Sequence, residues 1–449
     1  MKLKPIIASL MLLGLAAPAF ADAPAATAST QAQLDAMKAQ LNKMEAVINQ
    51  NNNGGFQQVA DWTSRITVSG LMNVDGYMSN TTPNFDTETP GNGGQTNNIA
   101  VNNANLFVDA LVNDWTNVHI GLKYDANRSD NFSREPNGPT FDEGYVTIGN
   151  FAESPFYFRG GREYVPFGQY DRYPLLQNPT QLLSETQATA AQVGFVSPVG
   201  VYGSAYAFRG MPSGSVSVNS NGNITGPATT DSRDRVQNYG FDLGYAYSDA
   251  DMGFKFDAGY IRNMADVNYI SQGIENANST LNGLVPNGYI NKVGGLALSL
   301  DANVANLDGA LRYVGATQAF AIGNAATVNL SNGTVEGAKP YAYGAEVGLS
   351  FPVVAHQSRF AVGYQHSNDA AGNSAATLTG DAVNSNVGVL AIGGYGLPQN
   401  RYYGNYTVNI SKWTDVGVGA YYDKDYSVQN GGTGKTATTG VIQLGVKFA

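Results

Sequence analysis

From Trp62 onward the chain alternates. Between Ile66 and Asp75, the apolar Ile66, Val68, Met72 and Val74 interleave with Thr67, Ser69, Asn73 and Asp75. A period of two places successive side chains on opposite faces of a β-strand. The pattern recurs in Val118, Ile120, Leu122 and Tyr124, in alternate residues from Tyr239 to Tyr247 and from Phe254 to Tyr260, from Tyr341 to Phe351, and in Ile442, Leu444, Val446 and Phe448. The opposing series holds Gly, Ser, Asn and isolated charges rather than the Lys and Glu of a soluble sandwich. That series fits a crowded, water-filled lumen, and the aromatic and β-branched series fits lipid.

The connections supply a second pattern. Short ones lie at Asn113–Thr116, Ala152–Ser154, Ser197–Gly200, Ser248–Asp251, Ala302–Val304, Pro352–Gln357 and Ser411–Trp413. Long ones rich in Asn, Gly, Ser and Thr lie between them, near 79–99, 126–140, 164–188, 210–236, 264–290, 317–338, 367–400 and 425–436. Strict alternation of short and long predicts an all-β fold, a transmembrane antiparallel β-barrel of about 16 strands with tight periplasmic turns and long extracellular loops. Trp62, Trp115 and Trp413 fall at expected periplasmic strand ends, as an interfacial aromatic girdle requires. Turns such as Asp423–Tyr426 are expected to anchor the opposite rim. Phe448, followed by Ala449, resembles the C-terminal aromatic that marks outer-membrane barrels for assembly.

The first sixty residues follow other rules. Lys2 and Lys4, an apolar stretch and Ala19-Phe20-Ala21 predict a signal peptide over 1–21, cut after Ala21. In the segment 22–61, Leu34, Met37, Leu41, Met44 and Ile48 are spaced 3, 4, 3, 4. This is the seam of a short periplasmic coiled coil and would suit a homotrimer. A lone amphipathic helix on a neighbouring surface fits the same spacing. The barrel is then expected over 62–449.

Composition narrows the class. The 449 residues include 53 Gly and no Cys, and only 13% are charged, about half the roughly 25% of soluble domains. Disulfides and cysteine-bound zinc are excluded. Helical membrane proteins need several apolar runs of about 20 residues, and only the N-terminus offers one. The net charge is −10, and export would remove two lysines. Acidity with few basic clusters argues against a nucleic-acid partner. Localisation in a Gram-negative outer membrane, with its lipid as a partner, follows from the barrel and the leader.

The third long loop is the least random. It runs from Arg159-Gly160-Gly161-Arg162-Glu163-Tyr164-Val165-Pro166-Phe167-Gly168 through Asp171 and Arg172 to Asn178-Pro179-Thr180 and Ser184-Glu185-Thr186. Aromatic, charged and stiffened by three prolines, it could fold into the bore. Arg159, Arg162, Glu163, Asp171, Arg172 and Glu185 are the candidate constriction charges, because fixed charge at a narrowing selects solutes. Arg128, Arg134 and Arg209 near the same strand tops would make the mouth locally positive. Structural ion pairs that only fix the loop fit these residues equally.

Enzymatic readings fare poorly. His119, His356 and His366 lack metal-binding spacing, and no serine or aspartate is evident beside any of them for nucleophilic catalysis. No catalytic residue, metal site or cofactor is expected.

The run Gly161–Gly168 with Asn178-Pro179-Thr180 and Ser184-Glu185-Thr186 resembles the outer-membrane siderophore porins related to the legiobactin receptor. The resemblance implies uptake of a ferric siderophore, and extends over leader, coiled segment and barrel. About forty residues between Ala21 and the first strand leave no room for the plug of an energised receptor, so the route would be porin-like. A general diffusion porin for small hydrophilic solutes and a surface-exposed structural or adhesive barrel with a blocked lumen remain alternatives.

Overall fold

The computed structural model describes residues 65–80, 96–124, 140–169, 175–210, 235–249, 251–271, 292–320, 339–354, 356–370, 397–427, 432 and 434–448. The expected leader and the Leu34–Ile48 seam, with Trp62, Arg128, Arg134, Asp171 and Arg172, lie outside the described residues.

Sixteen strands form one closed antiparallel barrel. They are β1 (Ile66–Ser79), β2 (Thr96–Asn113), β3 (Thr116–Tyr124), β4 (Thr140–Ile148), β5 (Phe156–Tyr164), β6 (Gln187–Val196), β7 (Val201–Arg209) and β8 (Val236–Ser248). The second half is β9 (Met252–Ile261), β10 (Gly295–Val304), β11 (Leu307–Ala316), β12 (Tyr341–Val353), β13 (His356–Asn368), β14 (Asn400–Ser411), β15 (Thr414–Lys424) and β16 (Thr436–Phe448). Each strand pairs with its chain neighbours, and β16 returns to β1 from Gly70↔Phe448 to Ser79↔Thr439. Closure leaves no strand edge unpaired, the condition for a sheet to cross lipid.

The two faces divide as the alternation predicts. Phe241 and Leu243 are each 53% exposed and Asp242 between them 8%; Ile442 is 61% exposed and Gln443 2%. A soluble sheet would bury the aromatic series, so this apolar outer belt requires a lipid solvent. On the inner face polar groups pair with one another. The Asp75 carboxylate accepts from Asn102 at 2.6 Å and from Gln443 at 2.7 Å, clasping β2 and β16 to β1 where the barrel closes.

Inner-face glycine has a packing reason at Gly363. A Cβ there would lie 2.2 Å from the Tyr403 ring. Without one, Tyr403 lies flat on the wall and donates to Glu346 at 2.6 Å.

Short and long connections alternate as expected, with one turn displaced. The β10–β11 hairpin pairs out to Val304↔Leu307, so the turn is Ala305-Asn306 rather than Ala302–Val304. Antiparallel pairing runs until a two-residue turn, whose left-handed backbone Ala305 supplies with a φ of 52°. Trp115 and Trp413 sit, partly exposed, at the short-turn end.

Candidate functional site

The chain leaving β5 turns into the barrel. Val165 N–H donates to Thr186 C=O at 2.9 Å, which ties the loop's two feet together. Gly168, at φ +91°, has no room for a Cβ beside Ser184. Phe167 is fully buried against Gly295 on the inner face of β10, and Lys255 on β9 donates to Gln169 at 2.8 Å.

The far end reaches other strands. Leu175 packs on the inner face of β15 at Gly417 and Gly419. The Tyr421 hydroxyl accepts from Leu175 N–H at 2.7 Å and donates to Asn405 at 2.9 Å. Arg401 on β14 donates to Gln177 C=O at 2.8 Å, and Gln365 on β13 to Asn178 at 2.5 Å. A one-turn helix α1 (Pro179–Leu182) then leads back to β6, its proline in the first turn where no N–H is required. Inside the barrel, residues 165–169 therefore lie against the β9–β10 wall and residues 175–178 against the β13–β15 wall, with the return to β6 through α1.

The two ends are held differently. Near β9–β12, Val165, Phe167 and Leu183 join an apolar cluster with Ile261, Met264, Val314 and Phe320. The loops after β9, β11 and β13 contribute to the same cluster through Val267, Phe320 and Leu397. Near β13–β15 the contacts are polar. Arg401 is 1% exposed and grips Asp423 with two bonds of 2.7 and 3.0 Å, its guanidinium 5.5 Å from the Tyr421 ring centroid. Lower on this wall, Arg359 pairs with Asp308 and, at 2.6 Å, with Glu346.

Of these wall residues only Asp423 was singled out from sequence, and there as part of a rim turn. A signal existed for Arg401 and Asp423, which lie equally far from the expected Ser411–Trp413 turn and so face each other across a hairpin. Glu346 and Asp308 likewise stand on the polar parity of their strands.

The candidates scatter. Arg159 and Glu163 both face inward on β5 and pair at 3.3 Å, with Arg159 stacked 4.4 Å over Tyr145; they behave as a structural pair on the wall. Arg162 is a correction. An odd offset from Arg159 puts it on the outer face, where it is exposed and donates to Asp142 C=O at 3.0 Å and Gln187 at 2.5 Å. Arg209 is exposed at the outer end of β7 and does not line the mouth. Glu185 stands at the loop foot, accepting from Gln181 at 2.7 Å. The Asp423–Tyr426 turn is also corrected, because Asp423 faces inward to Arg401 and buried Tyr426 bonds to Ser367 at 2.7 Å.

His119 has more company than the sequence suggested. Its Nδ1 lies 2.8 Å from Asp109 and its Nε2 3.9 Å from Glu143. Antiparallel pairing of β2, β3 and β4 assembles these three. No group of three or more His, Cys, Asp or Glu suited to a metal ion occurs among the described residues.

No protein-family model matches the chain. It is similar to UPF0422 proteins, one from Legionella pneumophila (strain Lens) at 28% identity over 376 residues, 78% of this chain and 62% of that protein. Another, from Coxiella burnetii, is 26% identical over 362 residues, 79% of this chain and 65% of that one. The chain thus spans less than two thirds of the length of these curated relatives. Among solved structures it is similar to the outer membrane channel DcaP of Acinetobacter baumannii, with a TM-score of 0.50 and 11% identity over 85% of this chain and 97% of that one. Pseudomonas putida OprB gives a TM-score of 0.50 and 11% identity over 85% of this chain and 94% of the other. The fold is that of an outer-membrane porin. At this identity the likeness concerns the barrel and leaves the solute to other arguments.

Proposed function

We propose that the protein is a channel of the Gram-negative outer membrane that admits small hydrophilic solutes by passive or facilitated diffusion. One observation carries the reading: residues 165–169 and 175–186 lie inside a closed barrel and are held against two of its walls, so that fixed side chains narrow the path. Carboxylates outnumber cations among the described inward strand residues, with Asp242, Asp257 and Asp301 on three successive strands. Such a lining favours cations. A cleaved leader, and a trimer held partly by the Leu34–Ile48 seam, belong to the same proposal.

A ferric siderophore is the finer proposal for the solute, supported by the resemblance at Gly161–Gly168, Asn178–Thr180 and Ser184–Thr186. Val165, Phe167, Asn178, Ser184 and Thr186 of that motif are buried. Their part would be to set the loop's path, and selectivity would then arise from the shape of the remaining opening. A blocked structural barrel is the second reading, favoured by the apolar cluster that four loops build inside the mouth.

Planar-bilayer recording of the full-length protein tests both. Stepwise, cation-preferring conductance is expected, with current block by ferric siderophore but not by the iron-free chelator. Absence of conductance steps would replace the channel with the blocked barrel. Conductance without block would leave a general porin.

A further inference from the structure

On an acidic chain, four cations gather on the outside of the barrel at the long-loop ends of β7–β10. Arg209 ends β7 and pairs in register with Val236, next to Arg235. Arg262 follows β9, and Lys292 precedes β10. Their positions carry the lipid-facing parity, the same as Tyr239, Phe241 and Tyr260, so these charges crown the apolar belt instead of lining the bore.

Gln237 holds two of them together. Arg262 donates to its backbone C=O at 3.3 Å, and Lys292 donates to its side-chain Oε1 at 3.3 Å. The Arg262 guanidinium lies 5.1 Å over the exposed Tyr239 ring, which fixes its plane at the top of the belt. No carboxylate pairs with Arg262 or Lys292 among the described residues. The facing groups are Arg262, Lys292 and Asp266, and the Asp266 carboxylate is engaged on the inner side by Asn238 at 2.7 Å and Asn263 at 3.3 Å. Burial and the nearby Arg262 charge hold the Lys292 ammonium below its usual range, against the opposing pull of Asp266. Two cations held close together with no carboxylate bonded to either leave room for an external anion.

We propose that Arg262 and Lys292, flanked by Arg209 and Arg235, dock a phosphorylated lipid headgroup of the outer leaflet, its acyl chains lying on Tyr239, Phe241 and Tyr260. Arginine's planar fork suits a phosphate, basic residues at a membrane surface select anionic headgroups, and aromatic rings occupy that interface. The proposal rests on the outer-membrane reading, with the long-loop end outward.

The test uses full-length protein in detergent, with binding followed by native mass spectrometry and by the thermal midpoint. The probes are bis-phosphorylated lipid A, its dephosphorylated form and inorganic phosphate. The phosphorylated lipid is expected to bind and raise the midpoint, and the other two are expected to do neither. Arg262→Glu with Lys292→Glu should weaken binding by at least about tenfold. Arg262→Gln with Lys292→Gln serves if the first variant does not assemble, as judged by heat-modifiable gel migration. Equal binding of dephosphorylated lipid, or variant affinity equal to wild type, would overturn the proposal. Competition by inorganic phosphate would reassign the site to a free anion. Bilayer conductance of the variants should match wild type because both residues face away from the bore. An absence of wild-type conductance would count against the channel alone, and an absence of lipid binding against this site alone.

Discussion

The loop between β5 and β6 is fastened at one place by grease and at another by charge. Val165, Phe167 and Leu183 enter a cluster whose energy depends on area and volume, so many apolar shapes would hold that end. At the far end, Tyr421, Arg401 and Gln365 meet particular backbone and side-chain atoms, and directional bonds specify one position. The apolar end therefore supplies adhesion, and the polar end decides where the loop stops. The two should fail differently when damaged.

The largest effect is expected at Arg401→Ala. It strands the buried Asp423 carboxylate and frees Gln177, and breaking a buried pair costs about 3–5 kcal/mol. Urea unfolding of the reconstituted protein should show this loss, and single-channel conductance should rise. An unchanged conductance would show that the loop's far end does not depend on this wall. Joint replacement of Arg401 by Met and Asp423 by Leu should regain most of the stability while the raised conductance remains.

Phe167→Ala comes next, at about 3–4 kcal/mol for a large buried ring. Here the near end should loosen without releasing the far anchors, so stability should fall more clearly than conductance changes. A conductance rise equal to that of Arg401→Ala would erase the distinction between the two ends.

Tyr421→Phe removes one hydroxyl serving Leu175 N–H and Asn405, and should cost about 1–2 kcal/mol. Increased current noise, with little change in mean conductance, is its expected signature. The smallest effect lies away from the loop. Val354 holds a φ of 46° in the β12–β13 turn, a conformation costly for a β-branched residue. Val354→Asn should raise stability by about 1 kcal/mol with no change in channel behaviour.

Barrel, strand number and loop alternation were legible because a two-residue period and turn chemistry are local properties of the chain. Parity also places Arg159 and Glu163 on the inner face of β5, where the sequence reading had them in the loop, and ignoring that parity is what misplaced Arg162. Arg401 and Asp423 were recoverable by counting outward from their shared turn. Contacts of Leu175 with Tyr421 and of Asn178 with Gln365 were not, since more than 180 residues separate each pair and no local pattern encodes them.

Alternation along the strands determines which face meets lipid and which meets water, since each residue's side is set by its immediate neighbours. Composition also determines that the inner face is polar and glycine-rich. Only closure of the sheet decides which polar groups meet, because β1 and β16 become neighbours there. The tertiary structure likewise decides that residues 165–169 and 175–186 lie inside the bore. That path depends on apolar and charged partners from distant strands, which a sequence holds apart and a closed barrel brings together.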